Sequence, residues 1–368
     1  MATIAIDATY IFDANPTGTA TYSRKLIESL ADLDSPHHFL LCYRFSRLGR
    51  WKEFLRPASA VRPGGPTFSV RLFQQPLTFW LPWQADLFHS LAQRPPAFHF
   101  QREVVTIFDI FPITGPSYST PDFQRRFSAL LREAAARAGR ILTLSKYTAG
   151  QLVKHCGVDP RRLRVIPPGV DLPARLLPEE ERLRERKNLV GEGNEMLLTV
   201  GVLDVRKNVV NTLRALKLLP EHYRLVLAGG KGYGHEAITS LIQSARLESR
   251  VSLLGHVPTD RLRVLYQAAS ALLFPSLEEG FGLPVLEAMA YGLPVIASQT
   301  SSLPEAGGDA ALYVDPHDPR HIAAQTARAV QDPTLRRDLI HRGLVRVRQF
   351  PWKRTAEETL SVYNEMLQ

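Results

Sequence analysis

The sequence predicts an α/β protein with two domains, each a parallel sheet covered by helices. Short apolar segments alternate with amphipathic segments along the 368 residues, a charge-rich stretch at 178–193 interrupts the alternation, and the alternation then resumes. Strands that alternate with helical patterns favour parallel sheets. A chain of this length is long for one domain and comfortable for two. We therefore expect two Rossmann-like domains facing each other across a cleft.

The first half contains five predicted strands. They are short apolar runs separated by helical patterns, at 3–8, 39–43, 85–89, 103–108 and 140–144. A loop at 15–19 precedes the first predicted helix, and Ser145 is placed to cap the helix that follows the last of these strands. The segment 62–83 is rich in Pro, Phe, Trp and Arg, so we expect an exposed apolar and basic rim there instead of a long helix.

A second series of strands begins at 196–201. Five further apolar runs follow, at 224–228, 251–254, 271–274, 294–297 and 311–314. The first domain is expected to end around Pro167-Pro168-Gly169, so that the two domains cover residues 1–172 and 173–352.

The composition is that of a globular chain, with 45% hydrophobic and 22% charged residues. No apolar run reaches the roughly 18–20 residues of a membrane-spanning helix. The first residues lack the pattern of a secretory signal, and Cys42 and Cys156 lack metal-ligand spacing. We therefore expect a cytoplasmic protein with reduced thiols.

The net charge of +9 is concentrated in the first half. Residues 1–174 carry 21 Lys and Arg against 13 Asp and Glu, whereas residues 175–368 carry 24 against 23. The first half is thus expected to face an anionic partner. An anionic membrane surface at the inner face of the cell membrane, or a phosphate-bearing lipid acceptor, fits better than nucleic acid, because no basic and aromatic nucleic-acid module is found. A solvated basic face explains the charge equally well.

The most informative segment is 275–292, PSLEEGFGLPVLEAMAYG. It follows a predicted strand and contains a glycine turn and a short helix with Pro284 at its first position. Gly280 and Gly282 allow a ligand to approach the backbone, and the N–H groups at a helix start bind anions such as a diphosphate. Glu279 and Glu287 would then accept hydrogen bonds from sugar and ribose hydroxyls. The alternative is a packed turn with two surface glutamates.

A second segment, 200–208, also suits a diphosphate. Gly201 follows a strand, and Arg206 and Lys207 are expected to open the next helix. Arginine offers a bidentate fork and lysine a mobile point charge. Taken alone, such a basic pair is more often a solvated surface feature.

Both segments resemble motifs of the retaining GT-B glycosyltransferases often called glycosyltransferase family 4. Residues 279–287 resemble the family's Glu-x7-Glu signature, and Arg206-Lys207 resembles its phosphate-binding pair, although Val202 replaces an arginine that many relatives carry. The resemblance implies that Glu279 contacts the donor sugar and Glu287 the ribose. The implied site consists of catalytic Glu279, Arg206, Lys207 and Asp109, and of donor-binding Gly18, Thr19, Gly201, Val257, Gly280, Phe281, Gly282, Leu283 and Glu287.

The resemblance also implies the substrates. A nucleotide-diphosphate sugar is the expected donor, and the segment 301–305, SSLPE, is similar to relatives that often transfer mannose, which favours GDP-mannose over UDP-sugars. The expected acceptor is a glycan or a polyprenyl-diphosphate-linked oligosaccharide. Transfer would occur on the front face without a protein base, a metal or another cofactor. The C-terminal helix, 353–368, is expected to pack back on the first domain.

The pair Phe108-Asp109 departs from the family pattern, in which a histidine commonly precedes the aspartate. Asp109 ends a strand, where functional carboxylates often occur, but it equally suits a loop acceptor. Two alternatives to a transferase follow. One is a GT-B phosphorylase or epimerase, although no cofactor-lysine context of a phosphorylase is found. The other is a donor-binding, catalytically weak subunit of a glycosyltransferase complex, which Phe108 keeps open.

Overall fold

The computed structural model describes residues 1–12, 18–43, 66–72, 81–91, 93–96, 98–115 and 117–368. Within the predicted loop at 15–19, residues 15–17 lie outside these ranges, as do 62–65 and 73–80 of the predicted rim. The chain divides into two compact units. The first unit comprises Met1–Pro116, Thr120–Gly169 and Phe350–Gln368, and the second comprises Ser117–Ser119 and Val170–Gln349.

The described strands of the first unit form one parallel sheet. They are β1 (Thr3–Asp7), β2 (His38–Tyr43), β3 (Thr67–Leu72), β4 (Leu87–Ser90), β5 (Glu103–Ile107), β6 (Arg140–Thr143) and β7 (Leu163–Val165). Their order in the sheet is β3-β2-β1-β4-β5-β6-β7. The sequence predicted neither edge strand. Strand β3 corrects the expectation of a rim, because aromatic Phe68 stacks on buried Phe39 at 5.1 Å and ties this segment to the sheet.

The described strands of the second unit form another parallel sheet. They are β8 (Glu195–Val200), β9 (Tyr223–Ala228), β10 (Val251–Gly255), β11 (Ala271–Phe274), β12 (Val295–Ser298) and β13 (Ala311–Val314). The order is β10-β9-β8-β11-β12-β13, so the winding direction reverses between β8 and β11. In open α/β sheets, ligands bind beyond the carboxyl ends of the strands at such a reversal. We therefore expect a ligand site in the loops that follow β8 and β11.

Helices connect these strands. They are α1 (Gly18–Ala31), α2 (Leu81–Gln84), α3 (Phe111–Thr114), α4 (Pro121–Arg137), α5 (Lys146–Cys156), α6 (Glu179–Val190), α7 (Val209–Leu218), α8 (His235–Ser244), α9 (Thr259–Ala268), α10 (Leu283–Ala290), α11 (Leu303–Gly307), α12 (Pro319–Gln331), α13 (Pro333–Val347) and α14 (Trp352–Leu367). Ser145 caps α5 as predicted, since its hydroxyl accepts the N–H of Thr148 at 3.1 Å. None of the helices in the described ranges has both the length and the apolar character to span a bilayer. Both Cys42 and Cys156 are unpaired thiols.

The C-terminal helix α14 is part of the first unit and packs against α1. The Thr355 hydroxyl donates to the Pro167 carbonyl at 2.8 Å. A side chain at Gly169 would collide with Trp352, whose backbone lies 2.4 Å from the position of a β-carbon. These contacts explain why the chain leaves the first unit at Gly169 and rejoins it at Phe350.

Candidate active site

Three charged side chains, two of them buried, meet in the loops that follow β8 and β11. Arg206 Nη1 donates to Glu279 Oε2 at 2.8 Å, and Lys207 Nζ donates to Glu279 Oε1 at 2.6 Å. Lys207 is 7% exposed and Glu279 is 8% exposed. We call Arg206, Lys207 and Glu279 the charged cluster. The fold thus brings together residues that the sequence predicted from two separate motifs, at the reversal point of the second sheet.

The basic pair lies in a 3₁₀ turn, Val205–Lys207, and does not open a helix as predicted. The carboxylate of Asp204 accepts the N–H of Lys207 at 3.0 Å and caps this turn. The helix α7 begins only at Val209. The tight turn explains the difference, because it directs two consecutive basic side chains to the same carboxylate, whereas residues one apart on a helix point in different directions.

Asn208 holds three loops of this region together, and the sequence assigned it no role. It has a left-handed backbone (φ 56°), which asparagine tolerates better than most residues. Its buried side-chain amide donates to the carbonyls of Pro275, at 2.9 Å, and Pro316, at 2.7 Å. The loops that follow β8, β11 and β13 are therefore joined through one side chain. The only sequence signal was an asparagine directly after a basic pair.

Gly201 makes room for Lys207. Its φ of 121° is a conformation that side chains rarely adopt, and a β-carbon there would lie 2.9 Å from Lys207 Cε. Lys207 Nζ in turn lies 4.3 Å from the centroid of the Phe274 ring, a cation–π distance. The structural effect of Gly201 is therefore to leave space for the Lys207 side chain.

Opposite charges keep the cluster ionised despite its burial. Burial alone raises the pKa of Glu279, but the charges of Arg206 and Lys207 outweigh it and hold the pKa at about 2. Burial lowers the pKa of Lys207, and the attraction of Glu279 opposes this change. Asp204 is a second, more distant acid, 3.7 Å from Arg206 Nη2. Within the described ranges no three His, Cys, Asp or Glu side chains come together that could hold a metal ion.

The backbone of Glu279 is fixed by two serines. Its N–H donates to Ser301 Oγ at 3.1 Å, and its carbonyl accepts the hydroxyl of Ser302 at 2.8 Å. Ser301 itself has a positive φ of 58°. In the sequence, these serines were recognised only as part of the segment 301–305. The structure shows that they orient the loop that carries Glu279.

The start of α10 follows this loop directly. Gly280 and Phe281 are buried, and Gly282 adopts φ 104° just before α10 begins at Leu283, one residue earlier than predicted. A β-carbon at Gly282 would lie 2.5 Å from Leu303 Cδ2, so packing as well as the backbone requires glycine. These four predicted residues lie next to the charged cluster along the chain, and the first turn of α10 presents backbone N–H groups there.

Glu287 lies one turn further along α10. Tyr266, on α9, donates its hydroxyl to Glu287 Oε2 at 2.7 Å. Burial raises the pKa of Glu287, and the bond from Tyr266 opposes this rise. The Tyr266 ring is buried and stacks on Tyr291 at a centroid distance of 5.8 Å. The sequence offered no signal for Tyr266, which is 21 residues away from Glu287.

Two other loops follow strands of the same sheet: the glycine loop 229–234 follows β9, and the loop with Val257 follows β10. The glycine loop 229–234 packs on the segment that carries the basic pair: Leu203 N–H donates to the Gly230 carbonyl at 2.8 Å, and a β-carbon at Gly229 would lie 1.7 Å from the Gly201 carbonyl oxygen. Gly229 therefore allows the two backbone segments to pack closely. Val257 is half-buried in the loop after β10.

The remaining predicted residues belong to the first unit. Gly18 and Thr19 form the first turn of α1, not the loop before it, since α1 begins at Gly18. Asp109 is half-buried and follows the end of β5. Phe108 is buried and meets the Tyr22 ring edge-on at 5.2 Å, so an apolar aromatic contact fills the position at which the family resemblance led us to expect histidine.

His89 has a structural role in the first unit. Its two ring nitrogens lie 2.6 Å from the Tyr363 hydroxyl and 2.8 Å from the Thr106 hydroxyl. Burial lowers its pKa to about 3, so the ring is neutral at physiological pH. The ring thus joins β4, β5 and α14 and has both nitrogens occupied.

Comparison with known protein families shows to which family the chain belongs. Residues 180–345 match the family described as glycosyl transferases group 1, and residues 16–173 match glycosyltransferase family 4. The chain is 33% identical over 276 residues to O-antigen chain mannosyltransferase B of Escherichia coli, covering 72% of this chain and 70% of that protein. The chain therefore belongs to the group 1 glycosyltransferases. It is a glycosyltransferase enzyme, and the predicted family membership is confirmed.

Solved structures with the same fold cover nearly the whole chain. Sucrose-phosphate synthase from Thermosynechococcus elongatus superposes with a TM-score of 0.78 at 24% identity, covering 99% of both chains. The HepE protein of Anabaena, crystallised with UDP and glucose, has a TM-score of 0.75 at 18% identity and covers 99% of this chain and 100% of its own. The predicted GT-B fold class is confirmed.

Proposed function

We propose that this chain transfers a hexose, with mannose favoured, from a nucleotide-diphosphate sugar to a glycan or lipid-linked acceptor, with retention of the anomeric configuration. The charged cluster at the reversal point of the second sheet carries this proposal. The name of the Escherichia coli relative supports mannose, and we therefore propose GDP-mannose as the donor. The complex of HepE with UDP and glucose supports a nucleotide-sugar site in this fold.

Arg206 and Lys207 would bind the diphosphate of the donor. The Lys207 ammonium has three N–H donors and gives one to Glu279, which leaves two for diphosphate oxygens. The first turn of α10, from Leu283, adds backbone N–H groups. Negative charge grows on the diphosphate as the sugar departs, so fixed cations in a dry site stabilise the transition state more than the ground state.

Glu279 would orient the donor sugar as a hydrogen-bond acceptor. With a pKa of about 2 it carries no proton at neutral pH, so it cannot act as a general acid. Both of its oxygens already accept bonds from Arg206 and Lys207, which weakens it as a nucleophile. A front-face transfer, in which the leaving phosphate takes the proton of the acceptor hydroxyl, requires neither role. We propose that no metal or other cofactor takes part.

The other predicted residues complete the proposed donor site. Glu287 would bind the ribose and Val257 would lie by the base. Backbone groups would contact the sugar and phosphates, and the residues concerned are Gly18, Thr19, Gly201, Gly280, Phe281, Gly282 and Leu283. Asp109 would face the transferred sugar.

The basic first half would face the acceptor side. An excess of eight positive charges in residues 1–174 suits a polyprenyl-diphosphate-linked oligosaccharide at an anionic membrane surface. We propose a cytoplasmic enzyme that associates peripherally with the inner face of the membrane and does not use nucleic acid as a partner.

A donor screen tests the proposal. Purified protein is incubated with GDP-mannose, GDP-glucose, UDP-glucose or UDP-galactose, with and without a polyprenyl-diphosphate-linked acceptor, and nucleoside diphosphate release is measured. We expect the fastest release from GDP-mannose, a further increase with the acceptor, and a product whose anomeric configuration by NMR equals that of the donor. Absence of calorimetric binding of every nucleotide sugar would contradict the donor site, and an inverted product would contradict retention.

Two arginine variants in the same assay test whether nucleotide release depends on the charged cluster. Arg206→Ala should reduce nucleotide release strongly. Arg214→Ala, at an exposed arginine that bonds Asn211 on α7, should leave it unchanged.

The alternative of a catalytically weak donor-binding subunit is not favoured. The relative with 33% identity is named as a transferase, and the charged cluster has all three of its members in contact. The Escherichia coli relative likewise favours a transferase over a phosphorylase or an epimerase.

A further inference from the structure

We propose that Tyr266 is a positioning residue for nucleoside recognition: its hydroxyl holds Glu287 Oε2, so that the second carboxylate oxygen is presented to the ribose diol of the donor. This inference rests on the proposed function, in which Glu287 binds the ribose. Tyr266 itself would not touch the ligand, because its side chain is buried behind the carboxylate that it orients.

The geometry ties the tyrosine to one oxygen of the carboxylate. Tyr266 Oη lies 2.7 Å from Glu287 Oε2, and Tyr266 is 2% exposed. A glutamate side chain has three rotatable bonds, so a partner on a neighbouring helix restricts it far more than its own helix does. Since α9 carries Tyr266 and α10 carries Glu287, the packing of these two helices sets where the carboxylate points.

The tyrosine is itself held rigidly. Its ring lies against that of Tyr291 with an interplanar angle of 10°. Tyr266 lies on α9, and Tyr291 directly follows α10, the helix that carries Glu287. The ring contact therefore joins the same two segments as the hydrogen bond from Tyr266 to Glu287. A rigid, buried donor loses little entropy when it fixes a carboxylate, which is the condition for preorganised binding.

The charges around Glu287 and its burial determine how the hydrogen bond from Tyr266 affects its pKa. The acidic side chain of Asp171 and the basic side chains of Arg263 and Lys207 act on it from other parts of the second unit, and Tyr266 and Tyr291 face it as neutral phenols. The strongest influence is burial, which raises the pKa of Glu287, while the Tyr266 bond favours the ionised form. The Tyr266 bond therefore favours the ionised form of Glu287 as well as orienting it, and an ionised carboxylate accepts hydrogen bonds from both hydroxyls of a diol.

The test measures ribose recognition directly. Dissociation constants of GDP and UDP are compared with those of their 2′-deoxy forms by calorimetry for the wild type, Tyr266→Phe and Tyr291→Phe. The wild type should prefer the ribonucleotide by about 10-fold, as expected for a hydrogen bond to a charged group. Tyr266→Phe should reduce this preference to about 2-fold and keep the ring stack. Tyr291→Phe, which changes the partner ring of the same stack, should keep the full preference.

Two further readouts separate positioning from folding. In the Glu287→Ala background, Tyr266→Phe should cause no further loss of preference, because it acts through the carboxylate. The acid limb of the pH profile for GDP binding should move to higher pH in Tyr266→Phe, since the lost bond had lowered the pKa of Glu287. Should Tyr266→Phe prove unstable in thermal melts, the comparison is made below its melting temperature, where a ribonucleotide preference equal to that of the wild type still overturns the role of Tyr266.

The outcomes distinguish this inference from the function on which it rests. A wild-type preference that persists unchanged in Tyr266→Phe overturns the role of Tyr266 alone. A wild type that binds no nucleoside diphosphate overturns the proposed function and this inference with it.

Discussion

The two sheets have the same doubly wound architecture but differ at the ends of their central strands. In the second unit, β8 and β11 lead to the charged cluster of Arg206, Lys207 and Glu279. In the first unit, β5 leads to Phe108, which packs on Tyr22. The reversal of the first sheet lies between β1 and β4, one strand away from β5. The two strand ends therefore differ in topology as well as in side chains, which are charged in the second unit and apolar in the first.

The buried ionisable groups of the two units show the same contrast. His89 has neutral partners, so burial lowers its pKa to about 3 and the ring stays uncharged. Glu279 has two cationic partners, which hold its pKa at about 2 and keep it charged. Burial removes charge unless an opposite charge is present, and the second unit supplies that charge at the place where an anionic donor would bind. The following predictions test this contrast, from the largest expected effect to the smallest.

Removal of the central carboxylate should have the largest effect. Glu279→Ala leaves the buried Lys207 and the half-buried Arg206 without their common partner, which should lower the free energy of unfolding by about 3–5 kcal/mol. Transfer should fall by about 100-fold or more, because the sugar loses its acceptor and the cations lose their positions. Denaturant unfolding and nucleotide release measure the two effects. Transfer at the wild-type rate would disprove the assignment of Glu279.

Loss of the Asn208 side chain should have the next largest effect. Asn208→Ala removes two buried hydrogen bonds and places alanine at a φ of 56°, for an expected loss of about 2–4 kcal/mol. Asn208→Gly is the matched control, since glycine loses the same bonds without the backbone strain and should cost about 1 kcal/mol less. Equal unfolding free energies for the two variants would show that backbone strain contributes nothing there.

The neutral buried histidine should make the first unit sensitive to acid. The pKa of His89 is 6.5 in an ordinary setting and about 3 in the folded chain. Between these values the unfolded chain binds a proton that the folded chain does not, so the free energy of unfolding falls as the pH falls. The expected contribution is a loss of about 2 kcal/mol from pH 8 to pH 5.

Urea unfolding at several pH values measures this contribution. His89→Gln should lose this part of the pH dependence, whereas His155→Gln, at an exposed histidine, should retain it. Parallel curves for His89→Gln and the wild type would contradict the assignment.

The smallest effect is expected at Phe108. Phe108→Leu keeps an apolar side chain but removes the edge-on contact with Tyr22, which should cost about 1 kcal/mol of stability. Nucleotide release should stay at the wild-type rate, because the position serves packing. If turnover falls by more than the loss of stability can explain, Phe108 has a role in catalysis. The first unit would then also contribute a functional side chain at a strand end.

Much of the fold could be predicted because its signals are local. The eleven predicted strands all correspond to strands of the structure, since each buried strand is a short apolar run. The two missed strands are at sheet edges: β3 lies in a proline-rich region, and β7 has only three residues. Edge strands are buried on fewer sides, so their sequences carry a weaker apolar pattern.

The candidate site was predicted less completely than the fold. The chemical types of Arg206, Lys207 and Glu279 could be read from their motifs, but their mutual contacts could not. Asn208 and Tyr266 were missed because their roles depend on partners more than 20 residues away, on other loops and helices. Periodicity and motif spacing carry no information about such contacts.

The sequence by itself determined that the chain forms two parallel α/β units and that the second one carries basic and acidic residues suited to a nucleotide-sugar donor. The first property follows from apolar periodicity, and the second from residue types in short motifs together with the resemblance of these motifs to a known family. Only the tertiary structure decided that Arg206 and Lys207 share the carboxylate of Glu279, that the Arg-Lys pair lies in a turn and not on a helix, and that Phe108 is a packing residue. Packing between distant segments sets these distances, and with them the pKa values and the orientation of each functional side chain.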